Sequence, residues 1–188
     1  MSDNLRNFTK ATYGFEHVLK QSTAKTLARK APCVGWTGTD VVEHVMGALA
    51  MVQSYATTGN GPKKTPKAGT DPIAAWDKLR DATLAALDHE GALQRIANEP
   101  FGPEVGSFPV DVLVGFMAAD MTAHIWDLAR TVKGDERIDP GLVKHSAATW
   151  KMVGPEVLRM PGMMGPAIKP EKGADAQTKL LNFLGRAV

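Results

Sequence analysis

Apolar residues recur every three or four positions along most of the chain, and no stretch alternates with the period of a β-strand. Such a segment carries one apolar stripe, and that stripe is buried only by packing against other helices. The first stripe is Phe8, Ala11, Phe15, Val18 and Leu19, in a helix expected over residues 3–29. Thr37 and Asp40 stand three apart as a capping box and open a second helix over 38–57. Its inner side holds Val41, His44, Val45, Ala48 and Val52. Asp71 and Pro72 supply the N-cap and first-turn proline of a third helix over 71–90, with Ile73, Trp76, Leu79, Thr83 and Leu87 inward. A fourth helix is expected over 109–133, with Leu113, Met117, Asp120, His124 and Leu128 on one side.

The remaining segments read as connectors and short additions. "TTGNGPKKTPKAGT" is a Gly/Pro/Lys loop, and "NEPFGPEVGSFP" is a connector with a short extended pair. Asp139 and Pro140 open a fifth helix, and "DAQTKLLNFLG" closes the chain as a short one. Residues 154–173 hold too much Pro and Gly for regular structure, and their methionines suit an irregular cover over an apolar cleft. The expected fold class is all-α: a four-helix bundle with short extra C-terminal helices, in a single domain of residues 1–188.

Composition narrows the function classes. With 22 basic and 20 acidic residues the net charge is +2, which gives no reason to expect a nucleic-acid partner. No apolar leader or membrane-length apolar run is present, so no membrane partner is expected. Cys33 is the sole cysteine, which excludes an intrachain disulfide and points to a reducing, cytoplasmic setting. There is no Walker sequence, no GxSxG and no GxGxxG.

Chemistry concentrates in "DMTAHIWDLA", where Asp120 and His124 lie four apart on the apolar side of a helix. A second His–acid pair, Asp40 and His44, has the same spacing. Asp40 falls in the first turn of its helix, where it caps free amides and meets the positive end of the dipole. Asp120 is mid-helix and has no free amides, so its buried charge needs a partner. A hydrogen bond from His124 meets that need in one reading. In the other, His44 points to the same spot from the second helix, and His44, Asp120 and His124 form a divalent-metal site with an open position.

The other candidates carry less. Asp127 lies one turn beyond His124, where it orients that ring or pairs with Arg130 or Lys133. His17 faces away from the apolar stripe, His89 sits in a last helical turn, and His145 lies at the edge of the fifth helix's apolar face. Cys33 has no histidine near it in sequence and reads as a small buried hydrophobe.

Three blocks, "PCVGWTGTDVVEHVMG", "DMTAHIWDLARTVKGDERIDPGLV" and "GPAIKPEKGADAQTKLLNFLGR", together resemble the DinB-like superfamily. More closely, they resemble the short metal-binding relatives of the N-terminal domain of mycothiol-dependent maleylpyruvate isomerase. The resemblance implies an up-and-down four-helix bundle, a divalent metal (zinc first, nickel second) and a homodimer through an exposed bundle face. It places the metal on His44, Asp120 and His124. Asp120 departs from the pattern, which has the longer Glu there. The chain also has a short tail where the isomerase has a C-terminal domain.

The function this implies is a divalent-metal-dependent transferase or isomerase acting with a small thiol such as mycothiol. The alternative is a non-catalytic protein that holds a metal or small ligand in the same cleft. A third reading is a plain helical protein with a buried His–Asp pair.

Overall fold

The computed structural model describes residues 1–153, 158–159 and 164–188. Helix α1 (Asp3–Leu19) begins where the Ser2 hydroxyl accepts from the Leu5 amide, and it buries Phe8, Ala11, Phe15 and Leu19. It stops ten residues before the periodicity predicts. Thr23 turns extended, takes the Thr26 amide on its hydroxyl and gives its own amide to Thr26, opening a separate turn, α2 (Ala24–Leu27). Threonine hydroxyls bond nearby backbone in non-helical geometry, and here that competition wins.

Three further helices follow close to their expected bounds. Helix α3 (Gly38–Thr58) starts on the Thr37/Asp40 capping box, and α4 (Pro72–Asp88) starts on Asp71. A two-residue antiparallel pair, β1 (Ile96–Ala97) with β2 (Phe108–Pro109), sits in the expected connector. It leads into α5 (Val110–Val132). Helix α5 packs on α1 and α3, and α4 packs on α3, so α1, α3, α4 and α5 form the up-and-down bundle. The short helices α6 (Pro140–Val153) and α7 (Ala176–Phe183) lie outside it, α6 against α5 and α7 against α6.

Central placement accounts for the composition of α5. Against the expectation of no membrane-length apolar run, it is long and apolar enough to cross a membrane by length and composition, yet most of it is buried among the other helices. Leu113, Val114, Met121, Trp126 and Leu128 are fully enclosed there. Across the bundle Phe15 meets Trp76 with ring centroids 4.9 Å apart. Beside them the buried Glu16 of α1 pairs with Lys20 and with Arg80 of α4, and Arg80 also reaches Asp77 at 2.7 Å.

Candidate metal centre

Two helices supply the centre. Helix α3 carries His44 in its second turn, and α5 carries Asp120 and His124 one turn apart. Nε2 of His44 lies 3.0 Å from Oδ2 of Asp120, and Nε2 of His124 lies 3.5 Å from Oδ1. One carboxylate thus spans two imidazoles. One donor atom from each of the three residues falls within 4.8 Å of the others. The two rings meet edge to face at 4.6 Å, and Trp36 stacks on His124 at 5.9 Å. Asp40 is elsewhere, its carboxylate taking the Thr37 amide at 2.7 Å and hydroxyl at 2.6 Å. The two acids that share a spacing therefore differ in environment as their helix positions require.

Behind His124 lies a second layer. Asp127 is completely buried, and its Oδ2 stands 2.9 Å from Nδ1 of His124. The ring N–H is not aimed along that line, so attraction between the buried ring and carboxylate sets the contact rather than an aligned hydrogen bond. Arg186 donates to Asp127 through Nε at 3.2 Å and through a terminal nitrogen at 2.8 Å. The Cys33 thiol donates to the same carboxylate at 3.2 Å. Of the two sequence alternatives for Asp127, ring contact is the one the structure displays; Arg130 turns to Glu136 instead. Cys33 is half-buried and hydrogen-bonded, not the enclosed hydrophobe its sequence context suggests.

Burial opposes charge on every acid here, and the neighbours outweigh it. Desolvation would raise Asp120, but His124 and His44 hold its carboxyl well below the usual range. The same contest at Asp127, won by His124 and Arg186, lowers it to about 2. Burial would lower His124, yet Asp120, Asp127 and Cys33 keep its proton on well above the ordinary imidazole range.

The three donors open onto a cleft of about 570 Å³, walled by Trp36, Trp150, Met164 and Leu184. Met164 and Gly165, from the segment expected to cover an apolar cleft, line it. Residues 154–157 and 160–163 of that segment lie outside the described residues. His145 bonds the Gly115 carbonyl at 3.0 Å, and the exposed His17 and His89 also lie outside the cluster. The donor chemistry suits a divalent metal: two imidazole nitrogens, one carboxylate, and an open side toward a cleft. Sequence reasoning missed Arg186. The sole local sign is Gly185 before it, a helix-ending glycine, which says nothing about the partner of the next side chain.

No family model matches the chain. Two uncharacterized proteins of Mycobacterium tuberculosis are each 31% identical to it over 189 residues, covering 99% of both chains. The crystal structure of a point mutant of mycothiol-dependent maleylpyruvate isomerase superposes with a TM-score of 0.53 at 16% identity, over 76% of this chain and 66% of that one. The chain therefore belongs to the same family as the two mycobacterial proteins and has the DinB-like helical-bundle fold found in the isomerase.

Proposed function

We propose that the protein binds a divalent metal through His44, Asp120 and His124 and offers it to a small thiol in the adjoining cleft. The observation that carries this reading is the convergence of three donors from α3 and α5, with His124 backed on its far side by Asp127. A metal-binding histidine whose other nitrogen faces a carboxylate is held in orientation and made a better donor. Zinc is the first candidate, since catalytic zinc sites combine two histidines with a carboxylate and an open position, and nickel is the second, as the resemblance implies. A bound divalent metal would lower the pKa of a thiol and hold it as thiolate, the nucleophile of a transfer or an isomerisation. Within the protein, His44 and His124 each turn Nε2 toward Asp120, which would balance charge between them, and Trp36 and Trp150 wall the cleft. Support for a thiol partner comes from the fold neighbour, whose name makes it mycothiol-dependent. A single cysteine, with no intrachain partner, fits a reducing, cytoplasmic setting.

The test is zinc and nickel titration of the parent and of Asp120→Asn against a chromophoric chelator. The substitution keeps the shape and removes the charge, and its loss of affinity should exceed the roughly 10–100-fold typical of an outer partner. Equal affinity in both proteins would reduce the cluster to a hydrogen-bonded core. Metal-loaded protein is then mixed with mycothiol and an electrophile. Chelator-sensitive turnover marks an enzyme, and saturable thiol binding without turnover marks a binding protein.

A further inference from the structure

Arg186 projects from the chain's last residues into the layer behind the metal centre, and its route there is built with care. Helix α7 starts on Asp175, whose carboxylate takes the Thr178 amide at 2.7 Å. It ends with Gly185 at φ 82°, a conformation open to glycine. A Cβ at Gly185 would also stand 3.1 Å from the Gly165 carbonyl, a tight contact, so the close approach of the two segments favours glycine as the positive φ does. The Arg186 amide then bonds back to the Leu181 carbonyl at 2.8 Å, and the Asn182 side chain holds the Arg186 carbonyl at 2.9 Å. The backbone of Arg186 is thereby fixed before its side chain reaches anything.

The side chain is committed as fully. Nε and one terminal nitrogen fork onto the two oxygens of Asp127, and the other terminal nitrogen donates to the Leu184 carbonyl at 2.9 Å. Three of its five N–H donors are thus engaged inside the protein, and the same side chain also borders the cleft. Its charge serves Asp127, a carboxylate with no exposure, 59 residues away in sequence. We infer that Arg186 is a positioning residue: its guanidinium fixes the Asp127 carboxylate, and Asp127 in turn fixes the ring of His124 at the centre. The site thus depends on docking of the C-terminal segment. This inference rests on the metal reading above for its consequence and on the Arg186–Asp127–His124 contacts for its geometry.

A planar fork matches a carboxylate in two places at once, whereas an ammonium supplies the charge without the fork. Arg186→Gln, Arg186→Lys, Cys33→Ala and the parent are therefore compared in two measurements. In metal-free protein at one fixed pH, the ring ¹⁵N signals of His124 should shift in Arg186→Gln, while those of His89 and His145 stay in place. In the second measurement, cobalt(II) serves as the spectroscopic metal. Arg186→Gln should bind it about 10–100-fold more weakly, the usual effect of losing an outer partner, and with an altered visible band. Arg186→Lys should recover part of both effects. Cys33→Ala should change affinity less than Arg186→Gln, because a thiol is a weak donor.

A lowered melting temperature in Arg186→Gln does not discriminate, since any loss at a buried carboxylate costs stability. Unmoved His124 signals together with parental cobalt affinity overturn the inference. So does a Cys33→Ala effect larger than that of Arg186→Gln. If the parent itself gives no cobalt band, the metal reading fails, and the His124 signals still decide the positioning role.

Discussion

Asp40 and Asp120 each precede a histidine by four residues, and their neighbours give them opposite tasks. Asp40 holds the amide and hydroxyl of Thr37, the N-cap of α3, so Asp40→Asn should cost roughly 1 kcal/mol or less in a urea melt and leave zinc affinity unchanged. This difference was readable beforehand, because position within a helix decides whether free amides are at hand. Arg186 was not, because its partner is remote in sequence and only the packed chain brings them together. The charges at the centre also set a pH dependence. Asp127, depressed to about 2 from 3.8, contributes stability present above 3.8 and lost as pH falls through about 2. His124, raised above 6.5, contributes stability fully present below 6.5 and lost as pH rises through its folded value. Metal-free protein should therefore melt highest between about pH 4 and 6.5. A metal needs His124 deprotonated, so zinc affinity should climb with pH and each binding event should release protons. Melting curves with chelator and with zinc across pH 3 to 9 check both slopes; parallel slopes in the two series would contradict a metal on His124.

At the scale of elements, caps were legible and one break was not. Thr37 with Asp40 and Asp71 with Pro72 announce α3 and α4 because each puts a side-chain acceptor beside free amides. The end of α1 is not legible because Thr26, at the third helical position, lacks the carboxylate that marks the box of α3 at Asp40. The β1–β2 pair, two residues on each side, is too short to impose a period on sequence. Between elements, one charged cluster stands out: Glu16 on α1 is held by Lys20 and by Arg80 of α4. Burial opposes its charge, and the two cations lower its carboxyl below the ordinary value. Glu16→Gln should cost about 1–3 kcal/mol, because Arg80 keeps Asp77 and Asp81 as partners while losing its buried one. Urea denaturation at pH 7 measures it, and the deficit should shrink as pH falls below the carboxylate range, where the parent also loses the charge. A deficit unchanged at low pH would mean the variant acts through packing rather than charge.

At the scale of the whole molecule, the C-terminal segment belongs to the fold and to the centre by separate contacts. Leu180, Leu181 and Leu184 are buried, whereas Arg186 alone among the residues after Leu184 reaches the layer behind His124. Burying one leucine side chain is worth about 1.5–3 kcal/mol, so deleting residues 174–188 should cost several kcal/mol and lower the melting temperature whether or not metal is present. Arg186→Gln leaves those leucines in place, so its stability loss should be much the smaller of the two. The two variants should nevertheless lose metal affinity to a similar degree, because both remove the cation at Asp127. Differential scanning calorimetry and chelator competition on the same samples separate the roles. Truncated protein that binds zinc like the parent, at a temperature where it remains folded, would show that the centre is complete within α3 and α5 and that the tail supports the bundle alone.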